Sequence, residues 1–316
     1  MKSDPLHNHK RDFRRFPPGQ PAGHDKERHL PSTRAHSGTK PRSSMHPVRT
    51  ATAILCTLFL VAACAGDGEP ALTERVTAAI EEHGWPELTG EVWEAMSVSA
   101  LDDILSEQRV GSRTDNGLSA LMFAARHNAD PDVASYLIEA GAGVNARDGN
   151  GLSALMHAAE RNESAEVVRT LLDAGADVHA TDDGHGSTVL MRAAGWNTNP
   201  RIVELIIEAG AEVNERNARG HSALILAAMN NESNAVLELL LDAGAEVDAV
   251  DDQGRSALMW AARASSNSAV VEALIEAGAD GQRVCDDGMT ARDYIEGNDT
   301  LEGTDAYWQL NDLRYE

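Results

Sequence analysis

Cysteine, aromatic residues and lysine are all scarce in this chain, and each scarcity excludes something. Cys56, Cys64 and Cys285 are the only cysteines among 316 residues. The first lies inside an apolar run and the second directly after it, so Cys285 stands alone in the body of the chain. A lone thiol builds neither an internal disulfide framework nor a cysteine metal cluster. Aromatics make up 4% of residues, too few for a core built on large rings but suited to thin helical layers filled by Ala, Leu, Val and Ile. No lysine follows Lys40, and residues 64–316 carry 16 Arg against 46 Asp and Glu, a formal charge of −30. Such a body repels nucleic acid and anionic lipid surfaces. An acidic, Lys-free surface suits both an Arg-favouring codon usage and a compartment open to high external salt; composition leaves both open.

Residues 1–44 are rich in Pro, His, Arg and Lys and show no apolar periodicity, so a disordered basic segment is expected there. From Met45 the chain reads MHPVRTATAILCTLFLVAACAGDGEP. It has a basic start at Arg49, an apolar run from Ala51 to Ala63, and small residues before Cys64. Thirteen residues suit the apolar stretch of a signal peptide and fall short of a bilayer span. The tetrad Val61-Ala62-Ala63-Cys64 resembles a bacterial lipobox, which implies diacylglyceryl attachment at Cys64 and cleavage before it. An ordinary secretory signal or an N-terminal membrane helix is the alternative. Residues 45–63 are therefore expected to be a signal peptide. The length of sequence ahead of it suggests that translation starts at Met45 and that residues 1–44 are spurious upstream sequence.

The body is governed by repetition. Ala-Ala recurs at 124–125, 158–159, 193–194, 227–228 and 261–262, and Gly follows at 141, 175, 210, 244 and 278. Both series step by 34, 35, 34 and 34 residues, and self-similarity at this period means stacked small units. In the unit DGNGLSALMHAAERNESAEVVRTLLDAGADVHA, Ser153 stands where a helix N-cap belongs. Leu155, Ala158 and Ala159 then form one apolar face of a short helix. Asn128, Asn162, Asn197 and Asn231, with Ser265 in the last unit, are expected to end these helices in a left-handed conformation. Asp130, Ser164, Asn199, Ser233 and Asn267 read as N-caps of a second helix, with Pro131 and Pro200 in its first turn. That helix carries Val167, Leu171 and Leu172 and ends at Gly175. Another Gly, at 151, 220, 254 and 288, lies ten residues beyond Gly141, Gly210, Gly244 and Gly278, and the stretch between reads as an extended turn. The turn of the third unit holds one extra residue within 181–186.

Helix, turn, helix and hairpin loop together resemble ankyrin repeats. The family pattern GxTPLHxAA…GADVNA stands here as GLSALMHAA and GADVHA, and the resemblance covers about residues 92–296. It implies an all-α repeat solenoid with about five full repeats and degenerate capping repeats at both ends. The expected organisation is a linker and short helix at 64–90 and an ankyrin-repeat domain at 91–316. Within that domain a capping unit spans 91–114, repeats span about 115–147, 148–181, 182–216, 217–250 and 251–284, and a C-terminal cap spans 285–316. The upstream cap places Ala100, Leu101, Ile104 and Leu105 on one face, and Tyr307, Trp308 and Leu310 are expected to cover the downstream end. Two departures stand out: Thr-Pro-Leu-His has become Ser-Ala-Leu-Met in most units, losing the Thr–His hydrogen-bond pair, and the inter-helix turn carries Asn in place of Gly.

Chemistry is sparse. His83, His127, His157, His179, His185 and His221 do not pair at metal-ligand spacing with a carboxylate or Cys on one helix. His179 and His185 share the long third loop with Asp182 and Asp183, where an ordinary solvated tip is the stronger reading than a labile cation site. Gly184-His185-Gly186-Ser187 lacks the strand context of a nucleophile elbow, and no phosphate loop is present. No cofactor, metal or enzymatic activity is expected.

In ankyrin domains the residues after Ala-Ala and those at the hairpin tips line the concave face. The resemblance thus implies a stripe of Arg126, His127, Glu160, Arg161, Gly195, Trp196, Met229, Asn230, Arg263 and Ala264. The position before Ala-Ala adds Phe123, His157, Arg192, Leu226 and Trp260, in part as core. Arg and Trp are common interface anchors, and Arg126, His127, Arg161, Trp196, Met229, Asn230 and Arg263 are the candidate partner-binding residues. The expected function is a non-enzymatic protein–protein interaction scaffold in the bacterial cell envelope, periplasmic or surface-exposed. It would bind another protein through the groove and touch the membrane only through a lipid on Cys64. Toxin immunity or regulation of an envelope enzyme is the narrower alternative, and a metal-binding or enzymatic accessory subunit the alternative of a different class.

Overall fold

A computed structural model describes residues 93–94, 96–104 and 110–312. Cys64, the apolar run before it and the segment 71–84 lie outside these residues. The described chain is helical throughout, with only isolated β-bridges, as between Arg147 and Ser153. Helix α1, Val98–Ile104, belongs to the upstream cap. Five helix pairs follow: α2 Ala120–His127 and α3 Pro131–Glu139, α4 Ala154–Arg161 and α5 Ala165–Asp173, α6 Val189–Trp196 and α7 Pro200–Glu208, α8 Ala223–Asn230 and α9 Asn234–Asp242, α10 Ala257–Ala264 and α11 Ser268–Glu276. Short α12, Ala291–Ile295, and α13, Asp305–Asp312, close the array. First helices pack on first helices of neighbouring units, and second helices on second helices. The result is an inner and an outer row.

Each inner helix starts because Ser or Thr accepts from the backbone N–H three residues on, as Ser153 does from Met156 at 3.3 Å. The Met that replaces the family's His is buried, and in two units its thioether accepts from the cap's own backbone N–H: Ser119 to Met122 at 3.4 Å and Thr188 to Met191 at 3.5 Å. The lost Thr–His pair thus leaves a weaker sulfur contact behind. The paired Ala are fully buried between inner helices, and Leu155 and Leu171 are likewise inaccessible; burying each such Leu is worth about 1.5–3 kcal/mol. At the outer helices Asp130, Asn199 and Asn267 cap with their side chains, whereas Ser164 and Ser233 make no side-chain cap bond. Leu101, Trp93 and Met96 are buried at the upstream end. Downstream, Ala306 and Leu310 are buried, but Trp308 is 57% exposed and does not cover the core as expected.

Glycine carries the hairpins. Gly151 has φ +78°, and a Cβ there would stand 2.7 Å from the backbone N of Asp183 in the next unit. The same approach lets Asp183 N–H donate to Asn150 O at 3.0 Å. Equivalent single backbone bonds tie the other hairpins, from Gly149 to Asn116, Ala218 to His185, Asp252 to Arg219 and Asp286 to Gln253.

The inter-helix asparagines do something other than the left-handed capping expected of them. Asn128, Asn162, Asn197 and Asn231 are extended, with φ −104°, −81°, −103° and −107°. Each is buried, and each amide faces backward. Asn162 Nδ2 donates to Ala125 O and Asn128 O, both at 2.8 Å; Asn197 donates to Ala159 O at 3.0 Å and Asn162 O at 2.8 Å; Asn231 donates to Ala194 O at 2.9 Å and Asn197 O at 2.7 Å. Asn128 begins the series on Trp93 O and Met96 O. The Oδ1 atoms accept from the N–H two residues on, as Asn162 does from Ser164 at 2.8 Å. Every amide group is therefore paired, and each unit satisfies carbonyls that the preceding helix end leaves open. Ser265 is too short for this: its hydroxyl turns to Asn267 of its own unit. Asn298 resumes the pattern on Ala262 O and Ser265 O.

A second buried row lies at the hairpins. Asp148 Oδ1 accepts from the N–H of Asn150 and Leu152, and its Oδ2 meets His157 Nε2 at 3.0 Å. Asp182 is held alike, with Arg192 as its side-chain partner at 2.9 Å. Asp251 takes Trp260 Nε1 and Arg255 Nε, each at 3.0 Å, with His221 Nε2 at 3.6 Å. In three of the five units the residue before Ala-Ala thus locks the hairpin to the inner helix; in the fourth unit that place is held by Leu226, 3% exposed.

Asn162→Ala leaves Ala125 O, Asn128 O and Ser164 N–H unpaired and should lower stability by about 2–3 kcal/mol, whereas Ser265→Asn should raise it by ~1 kcal/mol, the net worth of an added hydrogen bond; urea unfolding followed by circular dichroism checks both. Burial holds the His157 and His221 imidazoles below their usual 6.5 despite the nearby carboxylates. Unfolding lets them take up protons, so stability present above pH 6.5 is lost as pH falls through the folded-state values. The urea midpoint should therefore drop below pH 6.5, and the His157→Gln/His221→Gln variant should show a flatter profile until the carboxylates titrate. An unchanged slope in that variant would remove the histidines as the cause.

Candidate functional site

The C-terminal ends of the inner helices, immediately before the Asn row, form one continuous line of side chains. Burial of Asn128, Asn162, Asn197 and Asn231 forces the preceding residue of each unit to turn outward, because the helix has already committed its inner face to the Ala pairs. Every candidate stripe residue proposed from sequence lies at these helix ends, though not all are open. Arg161, Trp196, Asn230, Arg263 and Ala264 are exposed; Arg126, His127, Glu160 and Met229 are half-buried; Gly195 is buried. A Cβ at Gly195 would meet Leu226 Cβ of the next inner helix at 3.4 Å, an ordinary van der Waals contact.

Trp196 is 45% exposed, rare for a large apolar side chain in this array. It is not held by packing alone. The Arg192 guanidinium lies 5.8 Å from its ring centre, and Arg192 is in turn fixed by Glu160 at 2.7 Å and Asp182 at 2.9 Å. Glu160 also takes Arg161 Nε at 3.0 Å. Burial works to raise the Glu160 and Asp182 pKa values, but hydrogen bonds and charge from Arg192, with the backbone N–H of His185 at Asp182, outweigh it and keep both below the usual range. Arg192 is thus a positioning residue between two units, a role that composition does not show because its two acids are 10 and 32 residues away. The spacing of Arg192 to Trp196, one helical turn, is the signal available beforehand.

Toward the upstream end, a depression of ≈ 470 Å³ is lined among the described residues by Glu94, Arg126, His127, Ala129, Arg161, Asn162 and Glu163. His127 is held below its ordinary pKa, first by burial and then by the charge of Arg126. Toward the downstream end, Trp260 lies between two cations, with Arg255 at 4.0 Å and Arg263 at 5.5 Å from its ring centre. Trp260 is therefore largely spent within the fold, as Asp251 holds its indole N–H. Phe123 stacks on Trp93 with ring centres 6.0 Å apart and is core in the same sense.

Among the described residues no group of three or more His, Cys, Asp or Glu is placed to hold a metal ion. In the long third loop, Asp182 has both carboxylate oxygens engaged by the turn and Arg192, so it is not free to serve a cation alongside His179, Asp183 and His185. No helix among the described residues is long and apolar enough to cross a membrane. Cys285 is buried, with its Sγ 3.4 Å from Tyr294 Oη.

A family model for ankyrin repeats, in three copies, matches residues 94–182 and 190–285. No curated protein matches the chain. The matched spans cover more than half of the sequence and contain all five helix pairs except the loop 183–189 between them. Ankyrin repeats generally mediate protein–protein interaction. With an inner row of Ala-rich helices, an outer row and glycine-turned hairpins, the chain belongs to the ankyrin-repeat family.

Proposed function

We propose that this chain is a non-enzymatic binding protein of the bacterial cell envelope that grips another protein along the stripe at its inner helix ends. The observation that carries the reading is Trp196: a large aromatic side chain exposed at mid-array, braced by an arginine whose own charge is already satisfied. Aromatic rings supply contact area at little entropic cost, and such rings dominate interface energies when buried by a partner. Bracing matters because a side chain already held in one place loses less freedom on binding. The mechanism is recognition by a preformed surface, with no bond made or broken. The envelope location rests on the sequence alone, on Val61-Ala62-Ala63-Cys64 at the end of a thirteen-residue apolar run. A diacylglyceryl group on Cys64 would tether the array to a membrane through the segment 64–90.

Trp196→Ala should weaken the complex with the protein captured from envelope extract by at least about tenfold, since truncating a buried interface Trp costs ~2 kcal/mol or more. Arg169→Ala serves as control: Arg169 stands on the outer row and, among the described residues, forms its ion pair with Glu166 of its own helix, at 3.4 Å. Equal affinities for the two variants would place the binding surface elsewhere. For the anchor, Cys64→Ser should abolish metabolic labelling by a fatty-acid analogue; labelling that persists in the variant, or never occurs in the parent, defeats the lipoprotein reading.

A further inference from the structure

The stripe differs in charge from the rest of the body. Residues 64–316 carry −30 overall, yet Arg126, Arg161, Arg192 and Arg263 gather along this one line. Arg192 is consumed within the fold by Glu160 and Asp182. Arg126 is not: it makes no ion pair or side-chain hydrogen bond among the described residues, and its Nε is buried without a partner. Arg161 lends only Nε, to Glu160, and its guanidinium is otherwise open. Both line the ≈ 470 Å³ depression upstream of Trp196. Glu94 and Glu163 also line it, but both are exposed, as Arg161 is, and water screens the charge of all three. Arg126 is half-buried, where a charge acts through a lower effective dielectric and counts for several times more at equal distance.

We infer that the groove receives an acidic segment of the partner protein, with a carboxylate reaching Arg126 and Arg161 and a neighbouring apolar residue resting on Trp196 and Met229. This inference rests on the stripe being the binding surface. The chemistry suits the residues: a guanidinium binds a carboxylate through two parallel N–H donors, and Arg126 has these donors free. The −30 exterior adds specificity, because an acidic segment is repelled elsewhere on the body and has one cationic line on which to settle. Met229 follows Trp196 on the next unit and offers an adaptable apolar contact.

The test uses the full chain and an arrayed library of hexapeptides with a central Leu, whose flanking positions are acidic, amide (Asn/Gln) or basic. Binding of the best labelled peptide is measured by fluorescence anisotropy. Acidic peptides should bind at least tenfold more tightly than their amide or basic counterparts. Arg126→Gln should weaken them about tenfold, Arg126→Lys should keep only part of the binding because an ammonium retains the charge but not the two parallel donors, and Arg169→Gln, on the outer row, should change nothing. Circular dichroism of each variant confirms that the fold is kept. Equal binding of amide or basic peptides, unaltered binding by Arg126→Gln, or no peptide binding at all would overturn the acidic-segment proposal. The captured partner separates this from the underlying reading. Loss with Trp196→Ala but not with Arg126→Gln keeps the groove and removes the acidic segment, while loss with neither removes the groove itself. A dimer detected by light scattering and dissolved by Arg126→Gln would make a second copy the occupant and overturn a foreign partner.

Discussion

The row of buried asparagines is the interaction on which the array depends. A short helix of eight residues leaves half of its carbonyls without intrahelical partners, and a stack of such helices would bury those carbonyls at every junction. Asn162, Asn197 and Asn231 solve this by sending one amide group backward to two carbonyls of the preceding unit while accepting from their own turn. The carbonyls of Asn128, Asn162 and Asn197 are each taken by the next Asn in the row. Units are thereby coupled by hydrogen bonds whose loss would strand buried polar groups, which costs more than the bonds contribute when made. Hydrophobic burial between Ala pairs brings the helices together; the asparagines set the register at which they stop.

That register also creates the exposed stripe. Because the Asn must be buried, the residue before it turns away from the core, exposed at Arg161, Trp196 and Asn230 and half-buried at His127. Arg161, Trp196 and Asn230 occupy equivalent places and differ in chemistry, which is how an array of near-identical units acquires a distinctive surface. The hairpin carboxylates extend the same logic. Asp148, Asp182 and Asp251 are fixed by their turns, and each recruits whatever donor the inner helix offers: His157, Arg192 or Trp260. In the third unit that donor is a guanidinium long enough to reach Glu160 of the previous unit and to lie against Trp196. Rigidity of the exposed ring is thus inherited from the scaffold rather than supplied by a partner.

Much of this was legible in the sequence. The 34-residue step, the Ser caps, the Ala pairs and the positive-φ glycines of each helix end and hairpin are local signals, and local backbone preference decides them. The outward placement of Trp196 and Arg161 was legible too, since it follows from helical phase once Ala-Ala is known to face inward. The asparagines were misread as left-handed caps. Local propensity favours that role, but their amides find carbonyls 32–38 residues earlier, and tertiary hydrogen bonding won. Trp308 does not share the cap expected of it with Leu310, because residues two apart on a helix do not share a face; the C-terminal helix turns Ala306 and Leu310 inward and leaves the ring outside.

What the sequence determined by itself is the unit: helix, turn, helix and hairpin, each punctuated by residues whose backbone preferences act within a few positions. What only the tertiary structure decided is the pairing between units, namely which buried donor meets which carbonyl, which carboxylate holds Arg192, and which arginine, Arg126, is left without an ion-pair partner among the described residues. Those outcomes depend on groups about a full repeat apart in the chain and close in space. Their free energy comes from desolvation and geometry that exist only after stacking, so no local pattern could encode them.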